Sequence, residues 1–248
     1  MADFIWARMS DLHGILKDHR GTWAVDAPWV GLNRFTDAPV FQPLTSPSLC
    51  AAIDDLLGPG TWKPPRHWGG FLVKFPDRMP ENWTLPVHAY WHVDFHFTYD
   101  PRTPFGLRVF NFMSAVTPRG GGTFVVSGSH RLVERFVSSL TPGERQAGFA
   151  VLRERFNLSH PWLARLTGAE SDPAGRIGFF MDNTAIVDSV SVRVEELCAE
   201  PGDAIIMHPW LVHAPSPNAS DRPRFMLAKD IFTTTAQTRV QPAAAAVK

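Results

Sequence analysis

The stretch Trp91-His92-Val93-Asp94 organises the interpretation of the whole chain. In an extended strand, residues two positions apart point to the same face, so His92 and Asp94 project side by side. An imidazole and a carboxylate on one face supply two of the three ligands of a 2-His-1-carboxylate iron site, which leaves coordination positions open. A lone His-x-Asp occurs by chance on many surfaces, so its meaning depends on the rest of the chain.

Length and composition indicate one large domain. The 248 residues, 44% of them hydrophobic, suffice to bury a full core. The formal net charge is zero and basic residues form no block, so neither nucleic acid nor a membrane surface is expected as a partner. Nothing resembles a signal peptide, and no apolar run is long enough to span a bilayer. Cys50 and Cys198 lie far apart without a Cys-x-x-Cys motif, which predicts buried free thiols and a cytoplasmic protein.

Hydrophobic periodicity predicts a mainly β fold with flanking helices. Helices are predicted over 3–18 and 46–57, within an N-terminal helical segment that covers 1–66. Eight strands are predicted after it, at 70–75, 87–97, 105–116, 123–126, 177–187, 190–197, 204–207 and 223–232. A tight turn is predicted at 127–131 and a helical insertion at about 142–167. Because βαβ alternation is absent, a double-stranded β-helix (the cupin-like jelly roll) fits best, as one domain over 1–235 with a disordered tail at 236–248.

A second polar cluster lies near the carboxyl end. His213 follows a Pro-Gly-Asp turn and a short strand, and Arg224 comes eleven residues later on the next strand. His213 is a candidate third metal ligand, and Arg224 is a candidate for binding a carboxylate through two parallel hydrogen bonds in the same barrel mouth. His96 would continue the first motif as His-x-Asp-x-His and stays a rival ligand, although a hydrogen-bonded strand histidine is the commoner case.

The order of these motifs resembles the phytanoyl-CoA dioxygenase-like (PhyH) family of Fe(II)/2-oxoglutarate-dependent oxygenases. The match extends from about Phe71 to Leu227. Its five ordered blocks are His92-Val-Asp94, Gly121-Gly-Thr123 leading to Ser127-Gly-Ser-His130, Pro201-Gly-Asp203 before His213, Pro217-Asn218, and Arg222-Pro-Arg224. Five blocks in order are far more specific than any one of them. The first seventy residues carry little of the resemblance.

The resemblance implies roles for the matching residues. His92, Asp94 and His213 are the implied Fe(II) ligands, and Arg224 is the implied partner of the distal carboxylate of 2-oxoglutarate. Where the family often has a small hydroxyl residue two positions after the distal histidine, this chain has Pro215. The further candidate contacts to the co-substrate are Thr123, Lys74 and Asn111. The candidate substrate contacts are Phe95, His96, Trp210 and Arg222.

The function implied by the resemblance is a dioxygenase that uses Fe(II), 2-oxoglutarate and O2 to oxidise a C–H bond, releasing succinate and CO2. Hydroxylation, desaturation, epoxidation and ring formation all use this ligand set. A CoA thioester would require a basic rim for its phosphates. A small secondary-metabolite substrate is therefore expected, covered by the insertion at 142–167 and the loop at 76–86.

Two alternatives stay open at the level of sequence. One is a cupin-type dioxygenase or isomerase that uses the same metal ligands without 2-oxoglutarate. The other is a non-catalytic jelly roll that binds a small molecule. Arg224 favours the 2-oxoglutarate enzyme over the cupin-type enzyme, because a cupin site needs no carboxylate-binding arginine. The intact set of His92, Asp94, His213 and Arg224 argues against the non-catalytic alternative.

Overall fold

Two four-stranded antiparallel sheets form the centre of the protein in the computed structural model, which describes residues 1–23, 29–168 and 173–237. The strands, numbered along the chain, are β1 (Gly70–Lys74), β2 (Gly106–Phe112), β3 (Thr123–Ser127), β4 (Ala185–Val187), β5 (Val190–Glu196), β6 (Ala204–Met207), β7 (His213–Pro215) and β8 (Arg224–Phe232). The major sheet has the order β1-β8-β2-β6, and the minor sheet has the order β4-β5-β3-β7. This arrangement confirms the predicted double-stranded β-helix.

Helices precede, interrupt and follow the strands. They are α1 (Ala2–His13), α2 (Pro47–Leu57), α3 (Ser129–Ser139), α4 (Phe149–Asn157), α5 (Pro161–Thr167), α6 (Pro173–Phe180) and α7 (Thr234–Gln237). α1 ends before the predicted boundary because Gly14 adopts a left-handed φ of 67° and its N–H caps the last turn. α2 begins where the sequence predicts, because Ser46 accepts a backbone hydrogen bond as the N-cap and Pro47 takes the first helical position.

Three apolar clusters hold the layers together. One lies between the major sheet and the N-terminal helices, the second lies between the two sheets, and the third lies between the minor sheet and α3–α6. Representative members are Ile5, Ile53 and Phe225 of the first, Phe110, Val125 and Met226 of the second, and Phe124, Leu132 and Phe156 of the third. Each fully buried side chain of this size contributes about 1.5–3 kcal/mol, so both sheet faces are stabilised.

Alternation along the strands decides which side chains enter the space between the sheets. On β8, Met226 belongs to the cluster between the sheets, whereas Phe225 and Leu227 pack against the N-terminal helices. Arg224 therefore points inward with Met226. On β2, Phe110 points inward, so Arg108, two residues before it, shares the inner face.

The predicted strand at 87–97 is wrong. Residues His88–Tyr90 form a short 3-10 turn, and His92 makes only a single antiparallel bridge to His213 before the chain turns away. Burial still alternates from Trp91 to Phe97 as in a strand. The sequence pattern reported that alternation correctly, but a ladder also needs a partner, and β7 has only three residues.

Two further predicted elements are wrong. The predicted tight turn at 127–131 is the start of α3, where Gly128 takes a φ of 76° and the buried Ser129 hydroxyl accepts the N–H of Val212. The predicted strand at 177–187 is helical up to Phe180 and extended only in β4. Its short apolar run fits either a strand or a buried helix, and periodicity cannot separate the two. The buried Arg176 donates to carbonyls of α5, which holds this segment against the preceding helix.

The insertion is longer than the sequence indicates. Helices occupy the described residues from Ser129 to Phe180, rather than about 142–167 alone. Cys50 and Cys198 are free thiols, but Cys198 is exposed and Cys50 half-buried, so the prediction that both are buried is wrong. No helix within the described ranges is long and apolar enough to cross a membrane. The predicted tail lies outside the described residues from position 238 onward.

Candidate metal centre

Three ligand-type side chains meet between the sheets. The Nε2 atom of His92 lies 3.6 Å from Oδ1 of Asp94, and the Nε2 atom of His213 lies 3.1 Å from Oδ2 of Asp94. The three ligand atoms lie within 4.8 Å of one another. This is the donor set and the spacing of a single metal ion bound by two imidazoles and one carboxylate. The backbone bridge between His92 and His213 brings the two ends of the motif together.

Backbone carbonyls orient both imidazoles. The Nδ1 atom of His92 lies 2.7 Å from the Tyr90 carbonyl, and the Nδ1 atom of His213 lies 2.9 Å from the Leu211 carbonyl. Because a carbonyl only accepts, each Nδ1 carries the proton and each Nε2 keeps its lone pair for a metal. Burial, assisted by the neighbouring His213, lowers the pKa of His92. The ring is therefore neutral at neutral pH, which is the form that binds metal.

The carboxylate of Asp94 lies beside a half-buried cation, Arg108, that was not predicted from the sequence. The Nη1 atom of Arg108 is 3.0 Å from Oδ2 of Asp94 and 2.7 Å from Oδ1 of Asp230. Burial by itself raises the pKa of Asp94, but the neighbouring His213 and Arg108 outweigh it and lower the pKa. Burial raises the pKa of Asp230. One signal was available in the sequence, since Arg108 is the one charged residue of the strand Gly106–Phe112.

Arg224 is buried between the sheets, and no carboxylate of the described residues forms an ion pair with it. Its Nη1 donates to the carbonyls of Gly121 (2.6 Å) and Gly122 (3.1 Å), and its Nε has no partner among the described residues. Burial lowers its pKa to about 10. A guanidinium that is desolvated and only partly hydrogen-bonded is suited to bind an anionic ligand.

Two of the predicted co-substrate contacts lie beside Arg224. Thr123 is buried on the inner face of β3 and pairs with Pro215, directly after the glycine carbonyls that Arg224 contacts. Lys74 is the register partner of Arg224 on β1, but its ammonium binds Asp77 at 2.7 Å. Lys74 also lines a cavity of about 450 Å³ that reaches Tyr90 and Pro215.

The prediction for Asn111 is wrong. Asn111 lies between Phe110 and Phe112, which both point into the space between the sheets. Its own side chain therefore takes the opposite face, with Val109 and opposite Leu227, in the layer next to the N-terminal helices. Because that face is separated from the metal ligands by the sheet, Asn111 does not reach the co-substrate space.

The predicted substrate residues are not brought together. Phe95 is buried against Phe232, with ring centroids 4.8 Å apart, and Trp210 is buried against Phe105. Both belong to the buried apolar cluster on the helical side of the minor sheet, and their contact with substrate stays a prediction. Phe95 directly follows Asp94, and its side chain takes the opposite side of the extended chain.

The remaining two candidates lie at the surface. His96 is exposed, packs against Phe149 of α4, and is absent from the cluster of ligand-type side chains in the described chain. His213, rather than His96, is therefore the third member of the triad. Arg222 is exposed beside Asp221 and lines a cavity next to α1, on the helical side of the major sheet. The structure thus separates Arg222 from Arg224, although the two are neighbours in one motif.

Residues 40–226, more than half of the chain, match the family model described as Phytanoyl-CoA dioxygenase (PhyH). No curated protein matches the chain. The chain is similar to the solved structure of EvdMO1, with 17% identity, a TM-score of 0.42, and coverage of 77% of this chain and 32% of that one.

Two other solved structures are similar at the same level. The non-heme monooxygenase ThoJ is 18% identical with a TM-score of 0.40, over 75% of this chain and 52% of its own. EvdO2 from Micromonospora carbonacea var. aurantiaca, complexed with 2-oxoglutarate, is 18% identical with a TM-score of 0.37, over 84% of this chain and 65% of its own. The chain therefore spans between about a third and two thirds of the length of these proteins.

Proposed function

Since this chain belongs to the phytanoyl-CoA dioxygenase (PhyH) family of Fe(II)/2-oxoglutarate-dependent oxygenases, we propose that it oxidises a C–H bond of a small-molecule substrate, with hydroxylation as the default outcome. His92, Asp94 and His213 are the proposed Fe(II) ligands. A bound Fe(II) would activate O2, which is the oxidant, while 2-oxoglutarate would be decarboxylated to succinate and CO2. The chain's own residues bind, orient and shield the reactants.

One observation carries the 2-oxoglutarate assignment. Arg224 is buried on the inner face of β8 with an unused Nε, and its described partners are two backbone carbonyls. A cupin-type enzyme without 2-oxoglutarate has no need for a buried cation at this place. A dicarboxylate whose other end reaches the metal gives the guanidinium the counter-charge that it lacks. Thr123, beside the same carbonyls, is the proposed hydroxyl contact in place of the residue at Pro215.

The cavity of about 450 Å³ next to Lys74 is the proposed substrate approach. It is lined by Tyr90, whose carbonyl orients His92, and by Pro215, two residues after His213. The loop at 76–86 forms one of its walls through Met79 and Trp83 among others, which supports this loop as a cover over the substrate. We propose a neutral or weakly polar secondary metabolite in a cytoplasmic setting.

The first experiment is an anaerobic titration of the apo-protein with Fe(II) and then 2-oxoglutarate, monitored for a visible charge-transfer band, with His92→Ala as the control. A band in the parent and none in the variant supports the proposal. Iron binding without a band would favour the cupin-type enzyme, and no iron binding would favour the non-catalytic jelly roll. Succinate release then identifies substrates from a panel, and a Tyr90→Ala variant with altered KM would support the proposed approach.

A further inference from the structure

Asp94 is the metal ligand that its own backbone fixes least. His213 lies in β7, and His92 shares a backbone bridge with it, whereas Asp94 lies in a bend outside the strands. The groups that stabilise the negative charge of its carboxylate are the side chains of His213, Arg108 and His92. No described backbone N–H contributes. A carboxylate on an irregular segment has rotational freedom that must be removed before it can act as a ligand in one orientation.

Arg108 comes from the most firmly held part of the barrel. Its strand β2 pairs with β6 on one side and with β8 on the other, placing Arg108 opposite Met207 and Asp230. The Nη1 atom lies 2.7 Å from Asp230, and the guanidinium carbon lies 5.5 Å from the centroid of the Phe110 ring. Strand pairing, an ion pair and an aromatic contact thus fix the guanidinium before any metal binds.

We propose that Arg108 is a positioning residue for Asp94, and that Asp230 in turn orients Arg108. The inference rests on the proposed metal site and deepens it. Arg108 forms an ion pair with one carboxylate oxygen at 3.0 Å, which restrains the rotation of the carboxylate that would bind the metal. The pair Arg108–Asp230 adds no net charge, so the site gains an oriented ligand without the repulsion that an unbalanced cation would exert on a metal dication.

The charge of Arg108 and its position predict opposite changes in metal affinity when the residue is removed, so a binding measurement distinguishes the two effects. A cation next to a metal dication weakens metal binding by repulsion, so removing Arg108 tightens binding if charge alone matters. Removing it weakens binding if orientation matters. Loss of a group that orients a ligand typically costs 10- to 100-fold in metal affinity. The double variant R108Q/D230N removes one positive and one negative charge, so it leaves the net charge of the pair unchanged.

The experiment is a Co(II) titration of apo-protein variants, read by the visible d–d absorption of the bound ion and by metal-induced thermal shift. R108Q and R108Q/D230N are each expected to bind Co(II) roughly 10- to 100-fold more weakly than the parent. R108K keeps the charge but not the planar fork, and is expected to bind between the parent and R108Q. The matched control is R193Q, because Arg193 pairs with Glu195 on β5 at the surface.

Three results would overturn the inference. They are parent-like or tighter binding by R108Q, parent-like binding by R108Q/D230N, and an equal loss in R193Q. Far-UV circular dichroism checks folding, and if R108Q is unfolded the test passes to R108K, where parent-like binding is equally decisive. A parent protein that binds no Co(II) contradicts the proposed function instead, so the two failures are distinguishable.

Discussion

Replacing Arg224 with methionine is expected to abolish tight 2-oxoglutarate binding while leaving the fold intact. Methionine keeps most of the volume and removes the charge. In the parent, the guanidinium sits between the sheets with hydrogen bonds to Gly121 and Gly122 and without a carboxylate partner in the described chain. A residue that serves only stability would not be left in this state. This state is instead expected of a residue whose function is to bind an anion.

The magnitudes follow from the burial of the charge. Burial lowers the pKa of Arg224 to about 10, and at about 1.4 kcal/mol per pKa unit the buried charge costs the apo-protein on the order of 3 kcal/mol. Each hydrogen bond from a charged donor returns about 1.5–3 kcal/mol. The two hydrogen bonds together return about 3–6 kcal/mol against that cost, so R224M is expected to lower the free energy of unfolding by no more than about 3 kcal/mol. Loss of a buried charge pair costs about 2–5 kcal/mol of affinity, or roughly 30- to several-thousand-fold.

The assay is isothermal titration of 2-oxoglutarate into the Mn(II)-loaded protein without oxygen, beside urea unfolding of the apo-protein. The matched control is R222M, since Arg222 is two residues away and its side chain is 79% exposed. Parent-like affinity in R224M would refute the reasoning. So would a loss in R222M as large as that in R224M, or a loss of stability in R224M with unchanged affinity.

Three further predictions concern the metal, the core and pH. Mn(II) at roughly 100 times its Kd stabilises the parent by about 2.7 kcal/mol, and His213→Ala should show no such thermal shift; an equal shift would place the metal elsewhere. Phe95→Ala should lower the free energy of unfolding by about 3–5 kcal/mol in urea without changing metal affinity, and a reduced metal affinity would contradict its core role. Burial, assisted by His130, lowers the pKa of His208 to about 4. Between pH 6.5 and 4 the unfolded chain therefore binds a proton that the folded chain does not, so lowering the pH destabilises the fold by on the order of 1 kcal/mol after allowance for the partial exposure of His208. His208→Gln should flatten this part of the stability–pH curve, and an unchanged curve would show that other groups produce it.

Local sequence signals can predict a helix boundary when a few consecutive residues determine it. Ser46 and Pro47 define the start of α2, because capping is a property of a few consecutive residues. The end of α1 was predicted too late, at residue 18, although the left-handed Gly14 that ends the helix is an equally local signal. The strand predicted at 87–97 failed because a strand also needs a partner of sufficient length. The alternation of its burial was predicted correctly, which is why His92 and Asp94 do lie side by side.

The sequence by itself was enough to name the ligand set and the candidate carboxylate-binding arginine. The order of motifs that the chain shares with the PhyH family implied His92, Asp94, His213 and Arg224, and the structure brings the ligand atoms of the first three within 4.8 Å of one another. The sequence also shows that Asn111 and Arg108 point to opposite faces of their strand, because the two residues lie an odd number of positions apart. What was missing was the knowledge of which face of that strand lines the site.

Only the tertiary structure revealed the ion pair of Arg108 with Asp94 and Asp230. Arg108 and Asp230 are 122 positions apart and meet because β2 and β8 pair in one register. A shift of one residue in that register would send every side chain of one strand to the opposite face. Register depends on the packing of the whole barrel, and no short stretch of sequence contains it.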